Sequence, residues 1–117
     1  VDEVRVLKAF YRQRGFSVHT ACCKLGGVHK GDLGMDRLHP EWEVEATCNP
    51  VGQALELARC RTELNLLVGL CVGHDAVFGQ HSEAPVTTLV VKDRVLGHNP
   101  LAAIYSGYGR RKLGIDD

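Results

Sequence analysis

Two kinds of hydrophobic pattern alternate along the chain. Val4, Leu7, Phe10 and Tyr11 share one face of a helix that Asp2 can cap and that Gly15 can end as a left-handed residue. Phe16 to Ala21 then alternates, with aromatic and β-branched residues, and predicts a strand delivering Cys22 and Cys23. From Lys24 to Trp42 the chain carries Gly26, Gly27, Gly31, Gly34 and Pro40, which reads as a long irregular connection. Glu43 to Thr47 predicts a short strand that ends at Cys48. Asn49 and Pro50 supply the cap and first turn of a helix over Val51 to Arg61, with Ala54, Leu55, Leu57 and Ala58 along it.

Leu64 to Leu70 is the most apolar run, suited to a strand covered on both faces, and it stops at Cys71. Asp75 can cap a short helix through Ala76, Val77 and Phe78. After Pro85 comes a strand over Val86 to Val91, then the polar break Lys92-Asp93-Arg94. A last helix starts at Asn99-Pro100 and runs to Tyr105. Helix and strand patterns in this order predict an α/β protein: a mainly parallel, Rossmann-like sheet with helices on both faces and right-handed crossovers. The 117 residues read as a single α/β domain, 1–117, with 106–117 as a flexible tail. The chain opens on Val1 already in helical pattern, with no initiator Met and no signal segment, so it is expected to be a fragment of a larger domain trimmed at its amino end.

Charge narrows the function classes. Fourteen basic residues balance fourteen acidic ones, which removes the electrostatic footprint of a non-specific nucleic-acid binder. Arg110-Arg111-Lys112 is short and terminal, and it reads as a solvated tail. Trp42, Tyr105 and Tyr108 form no stacking stripe for single strands. No run approaches a membrane span, and the expected location is cytoplasmic. The five cysteines are odd in number, two are adjacent, and nothing marks secretion, so a disulfide framework is the weaker reading. Reduced thiols leave packing, nucleophilic or redox chemistry, and metal ligation.

The positions of the thiols favour the last. Cys23, Cys48 and Cys71 each end a predicted strand, spaced by roughly one strand-plus-crossover unit. In a parallel sheet the strand carboxyl ends and the helix amino ends share one side, where ligands bind. His98 falls there too, because His98-Asn99-Pro100 repeats the device of Cys48-Asn49-Pro50. A thiolate just outside a helix amino end gains from the dipole and the free N–H groups. Strands sit about 4.8 Å apart, so ligands on two or three strand ends spread wider than a compact tetrahedral zinc site, and an iron–sulfur cluster suits that spread. Neither a Cys-x-x-Cys zinc pair nor a ferredoxin run is present. Cys60, late in a helix, reads as packing.

The segment Leu64-Asn65-Leu66-Leu67-Val68-Gly69-Leu70-Cys71-Val72-Gly73-His74-Asp75 carries a family likeness. Ala84-Pro85-Val86-Thr87 and Lys92-Asp93-Arg94-Val95-Leu96-Gly97-His98-Asn99-Pro100 extend it, together with Cys23-Lys24-Leu25-Gly26-Gly27 and Cys48-Asn49-Pro50-Val51-Gly52-Gln53-Ala54. The chain resembles the prokaryotic uncharacterised metal-binding proteins, a domain of unknown function, from about residue 1 to 105. The resemblance implies a cytoplasmic α/β protein that binds a metal or iron–sulfur cluster. Cys23, Cys48 and Cys71 fall on the family's cysteine positions, and His74 and His98 on its Gly-His-Asp and Gly-His-Asn-Pro motifs. It also implies a cysteine-rich segment and one more cysteine-ended strand before the first helix. A fourth ligand would then come from an upstream segment or a second chain. Cys22 can replace Cys23 as ligand, since a one-residue slip in a strand reverses its side chains.

The leading expectation is therefore a metal-binding protein with Cys23, Cys48, Cys71, His74 and His98 as metal residues. An iron–sulfur cluster is the first choice of cofactor, with zinc or mononuclear iron as alternative. A second reading is a thiol enzyme with Cys71 as nucleophile, His74 as base and Asp75 orienting the imidazole. A third is a nucleotide or small-molecule module using the Gly26-Gly27 turn and the two Asn-Pro helix starts as anion sites. Lys92-Asp93-Arg94 reads as a polar turn after a buried strand, and its position on the ligand edge keeps it a candidate for substrate or partner contact.

Overall fold

The computed structural model describes residues 2–115. Val1, Asp116 and Asp117, which the single-domain reading includes, lie outside the described residues. In chain order the elements are α1 (Asp2–Arg12), a short 3₁₀ turn (Gly31–Leu33), α2 (Pro50–Arg59), β1 (Asn65–Leu70), α3 (His74–His81), β2 (Val86–Val91), α4 (Pro100–Tyr105) and α5 (Gly107–Lys112). The chain is thus mixed helix and strand, with a parallel two-stranded sheet. Residues read as tail from the sequence include α5, which Ser106 caps by accepting the Gly109 N–H at 2.9 Å.

Several expected elements form for the expected reasons. Gly15 ends α1 with φ +87°, its N–H donating to Arg12 O at 3.0 Å. Asn49 caps α2 by accepting the Gly52 N–H at 2.8 Å, and Asn99 accepts the Ala102 N–H at 3.2 Å at the start of α4. The two Asn-Pro devices are one piece of local chemistry used twice. α3 begins two residues earlier than with Asp75 as its cap, behind left-handed Gly73. Asp75 lies inside the first turn, and its Oδ1 accepts the Gly73 and Ala76 N–H groups.

Two expected strands do not form. Residues 16–22 are extended or irregular without ladder partners, and Phe16 is 61% exposed. β propensity expresses fit to a half-buried pleated surface, and no strand lies beside this segment to supply one. Its end is tied to α2 instead: Ala21 O accepts from Gln53 Nε2, Cys23 O from the Asn49 N–H, and Leu25 O from Asn49 Nδ2. Of the strand expected over 43–47, a single antiparallel bridge between Ala46 and His29 remains. Thr47 N–H to Val28 O and Lys30 N–H to Glu45 O hold it on either side.

The core sits where α2, β1 and α3 meet. Ala54, Leu67 and Phe78 are buried together, and Leu57, Leu70 and Val86 pack around them. Buried Asn65 closes the far end of β1, donating to Ser82 Oγ and accepting from Thr62 Oγ1. No residue of α1 is buried, and residues 31–44 are all exposed. Accordingly the radius of gyration is 17.0 Å, where a compact chain of this length has about 13 Å.

The long connection is organised by Glu45. Its carboxylate accepts from Lys30 Nζ at 2.6 Å and from the Leu38 and His39 N–H groups at 2.8 and 3.2 Å, pinning the loop at its base. The Lys30 hydrogen bond above all holds this carboxyl below its usual 4.5; partial burial works against it, and the two backbone donors add to the lowering. A folded value below the unfolded one gives stability that is complete above the unfolded value and lost as the pH falls through the folded one. The stability difference between wild type and Glu45→Gln, from urea unfolding, is therefore expected to shrink from pH 6 to pH 3. A difference independent of pH would contradict this role for Glu45.

Candidate metal centre

β1 ends at Leu70, opposite Val91 at the end of β2. The next residue on each strand is then a neighbour across the sheet: Cys71 on one, Lys92 on the other. Lys92 Nζ donates to Cys71 Sγ at 3.2 Å. From Cys71 the chain turns through Val72 and Gly73, and the His74 N–H donates back to Cys71 O at 2.9 Å. This tight turn brings the thiol and the imidazole, three positions apart, to one side. Cys48 arrives from a different element, just ahead of the Asn49 cap of α2, and α2 packs on α3.

The result is a group of Cys48, Cys71 and His74, all half-buried, whose ligand atoms lie within 4.8 Å of one another. Two sulfurs and an imidazole nitrogen form a soft, borderline donor set, suited to zinc or iron rather than to calcium or magnesium. The group can hold a metal ion. Each of its thiols faces an ammonium group: Lys24 Nζ donates to Cys48 Sγ at 3.6 Å, as Lys92 does to Cys71, and Lys24 also donates to Ala46 O.

The other expected ligands stand differently. Cys23 is outside the group, beside Cys48, and its thiol is pushed up by burial first, then by the neighbouring Cys48 and Cys22. Cys22 is exposed and accepts the Lys24 N–H at 3.3 Å. His98 is also outside the group. It occupies a left-handed conformation, φ +62°, donating its N–H to Asp93 O at 2.7 Å and accepting the Asp93 N–H on Nδ1 at 2.9 Å. Accepting there requires the ring proton on Nε2, so neither nitrogen of a neutral ring is left as a lone-pair donor. All five cysteines are free thiols.

Sequence reasoning missed Lys24 as a partner of a thiol, and read Lys92 as part of a polar turn and a candidate for substrate or partner contact rather than as a partner of Cys71. The signal was present: a lysine directly after Cys23, and one standing at the end of β2 as Cys71 stands at the end of β1. At the two Asn-Pro helix starts of the third reading, the Asn49 and Asn99 side chains each take one N–H group, those of Gly52 and Ala102.

The chain is thus one of mixed helix and strand, with a thiol and imidazole group beyond the carboxyl end of β1. It belongs to the DUF1847 family, described as a protein of unknown function, whose family pattern matches residues 1–89. That span includes Cys23, Cys48, Cys71 and His74. The chain is also similar to an uncharacterized protein of Methanocaldococcus jannaschii, MJ0455, at 45% identity over 112 residues. The aligned region is 96% of this chain and 57% of that relative, so the chain spans little more than half of the relative's length. No solved structure matches it. Among the described residues, no helix is long and apolar enough to cross a membrane.

Proposed function

We propose that this chain is a metal-binding protein, with a single zinc or iron ion held by Cys48, Cys71 and His74. The observation that carries the reading is the convergence of three donor atoms, from two separate parts of the chain, within 4.8 Å. A tetrahedral zinc with sulfur at about 2.3 Å holds two sulfurs roughly 3.8 Å apart, so the group needs at most about an ångström of closure. Three protein donors leave a fourth position open, as in catalytic rather than structural sites, where the ion supplies Lewis acidity to a bound group. Cys23, beside Cys48, is not among the three donors of this reading. His98 belongs to the 93–98 turn in this reading.

The β1–α3–β2 unit is, on this reading, one repeat of a wider Rossmann-like parallel sheet. Support comes from where the groups lie: Cys71 and Lys92 at strand carboxyl ends, and Cys48 and His74 at helix amino ends.

The iron–sulfur cluster is the second reading, favoured by the third thiol, Cys23, beside Cys48. The thiol-enzyme reading has less support, because Lys92 rather than His74 engages Cys71 Sγ, and Asp75 bonds backbone rather than the imidazole. Zinc, iron and acid-labile sulfide are to be quantified on protein purified without oxygen, with its absorption spectrum. One metal per chain without sulfide is expected. Equimolar iron and sulfide would replace the single-ion reading with the cluster, and metal-free protein that takes up neither zinc nor iron would sink both.

A further inference from the structure

The two lysines ask for an explanation that an ion with two thiolates does not give. A divalent ion, two thiolates and a neutral imidazole sum to no net charge. Lys24 and Lys92 then stand beside a neutral centre. The carboxylates next in sequence to His74 and to Lys92 do not answer them. Asp75 turns to the Gly73 and Ala76 N–H groups, and Asp93 to the Val95 and Leu96 N–H groups. Among the described residues, no carboxylate forms an ion pair with Lys24 or Lys92. Both lysines are nevertheless held at the donor set, each on a different thiol.

We propose that the open position of the site takes a small oxyanion, a carboxylate or phosphate group, with the Lys24 and Lys92 ammonium groups as its counter-charges. The inference rests on the metal reading above and names the ligand class that goes with it. An ion of this kind binds an anionic oxygen directly, and an ammonium already at the coordinating sulfur lies close enough to stabilise the remaining charge through a charge-assisted hydrogen bond. Lysine suits the task as a point charge on a flexible stem. Neutral ligands of the same metal would gain nothing from it.

The test uses the full chain loaded anaerobically with cobalt(II), whose ligand-field bands report the fourth ligand. Wild type is titrated with inorganic phosphate, with acetate and with neutral imidazole. The bands are expected to shift saturably with at least one of the two anions, and the stronger response tells phosphate from carboxylate. Lys92→Gln and Lys24→Gln, each fully loaded with cobalt, are expected to weaken that anion by about tenfold, the size of one hydrogen bond to a charged group, while the imidazole response holds. Lys92→Arg and Lys24→Arg should restore most of the loss, which a merely structural lysine would not require. Equal anion affinity in the glutamine variants, or bands that no anion moves because Cys23 or another polypeptide closes the site, would overturn the proposal. Failure of the metal reading is visible earlier, as cobalt protein without thiolate charge-transfer absorption before any anion is added.

Discussion

Cys71→Ala is expected to cost the chain its stoichiometric metal, with affinity falling on the order of a hundred- to a thousandfold. Structural zinc sites gain roughly 10–16 kcal/mol, so one ligand in a small set carries a few kcal/mol of that. Two features make Cys71 the severest of the single losses. It is the member joined to both neighbours, through the turn to His74 and through the sheet to Lys92. Its removal also leaves the Lys92 ammonium facing a methyl group and a cation, where attraction becomes repulsion. Cys60→Ala and His98→Ala supply the contrast, since neither residue is in the donor group. Competition against a chromophoric chelator measures all three on one scale. A Cys71→Ala protein that competes as well as wild type would remove this group from consideration as the metal site.

Phe78→Ala is expected to lower stability by about 3–5 kcal/mol, the usual cost of emptying a buried aromatic position. Phe78 is 2% exposed and sits in a core of very few buried side chains, with Ala54 and Leu67. Domain stabilities run to about 5–15 kcal/mol, so this one cavity uses up a large share of the total. The damage should reach the metal centre, because the three elements that meet at Phe78 carry the donors. α2 follows Cys48, β1 leads into Cys71, and α3 starts at His74. Urea unfolding with and without zinc reads both effects at once. Zinc at a hundred times its dissociation constant should return about 2.7 kcal/mol, provided the variant still binds it. A Phe78→Ala protein with unchanged stability, or one that zinc stabilises fully while its midpoint without metal is normal, would show that packing and site are independent.

How far the chain could be read from its letters depended on how local the cause was. Gly15, Asn49-Pro50 and Asn99-Pro100 act within a turn of themselves, and they end or start helices as read. The runs at 65–70 and 86–91 became strands because they have each other. Phe16 to Ala21 has as good a strand pattern and no partner, and a pattern alone does not make a ladder. Cys48, Cys71 and His74 were legible as candidates, together with Cys23 and His98, because each lies beside an element boundary. The lysines were not legible as partners of the thiols, since their role depends on which strand pairs with which and in what register. His98 stands apart from the group of Cys48, Cys71 and His74. The repeated His-Asn-Pro device marks a helix start, but the ring is spent on the Asp93 backbone.

The pairing of Leu70 with Val91 has one more consequence, for the order in which the protein is made ready. Cys71 and His74 are near neighbours in sequence and can meet in a chain with no tertiary structure. Lys92 is separated from them by the whole of α3 and β2. A thiol in the unstructured chain therefore lacks the ammonium partner that it has in the finished sheet.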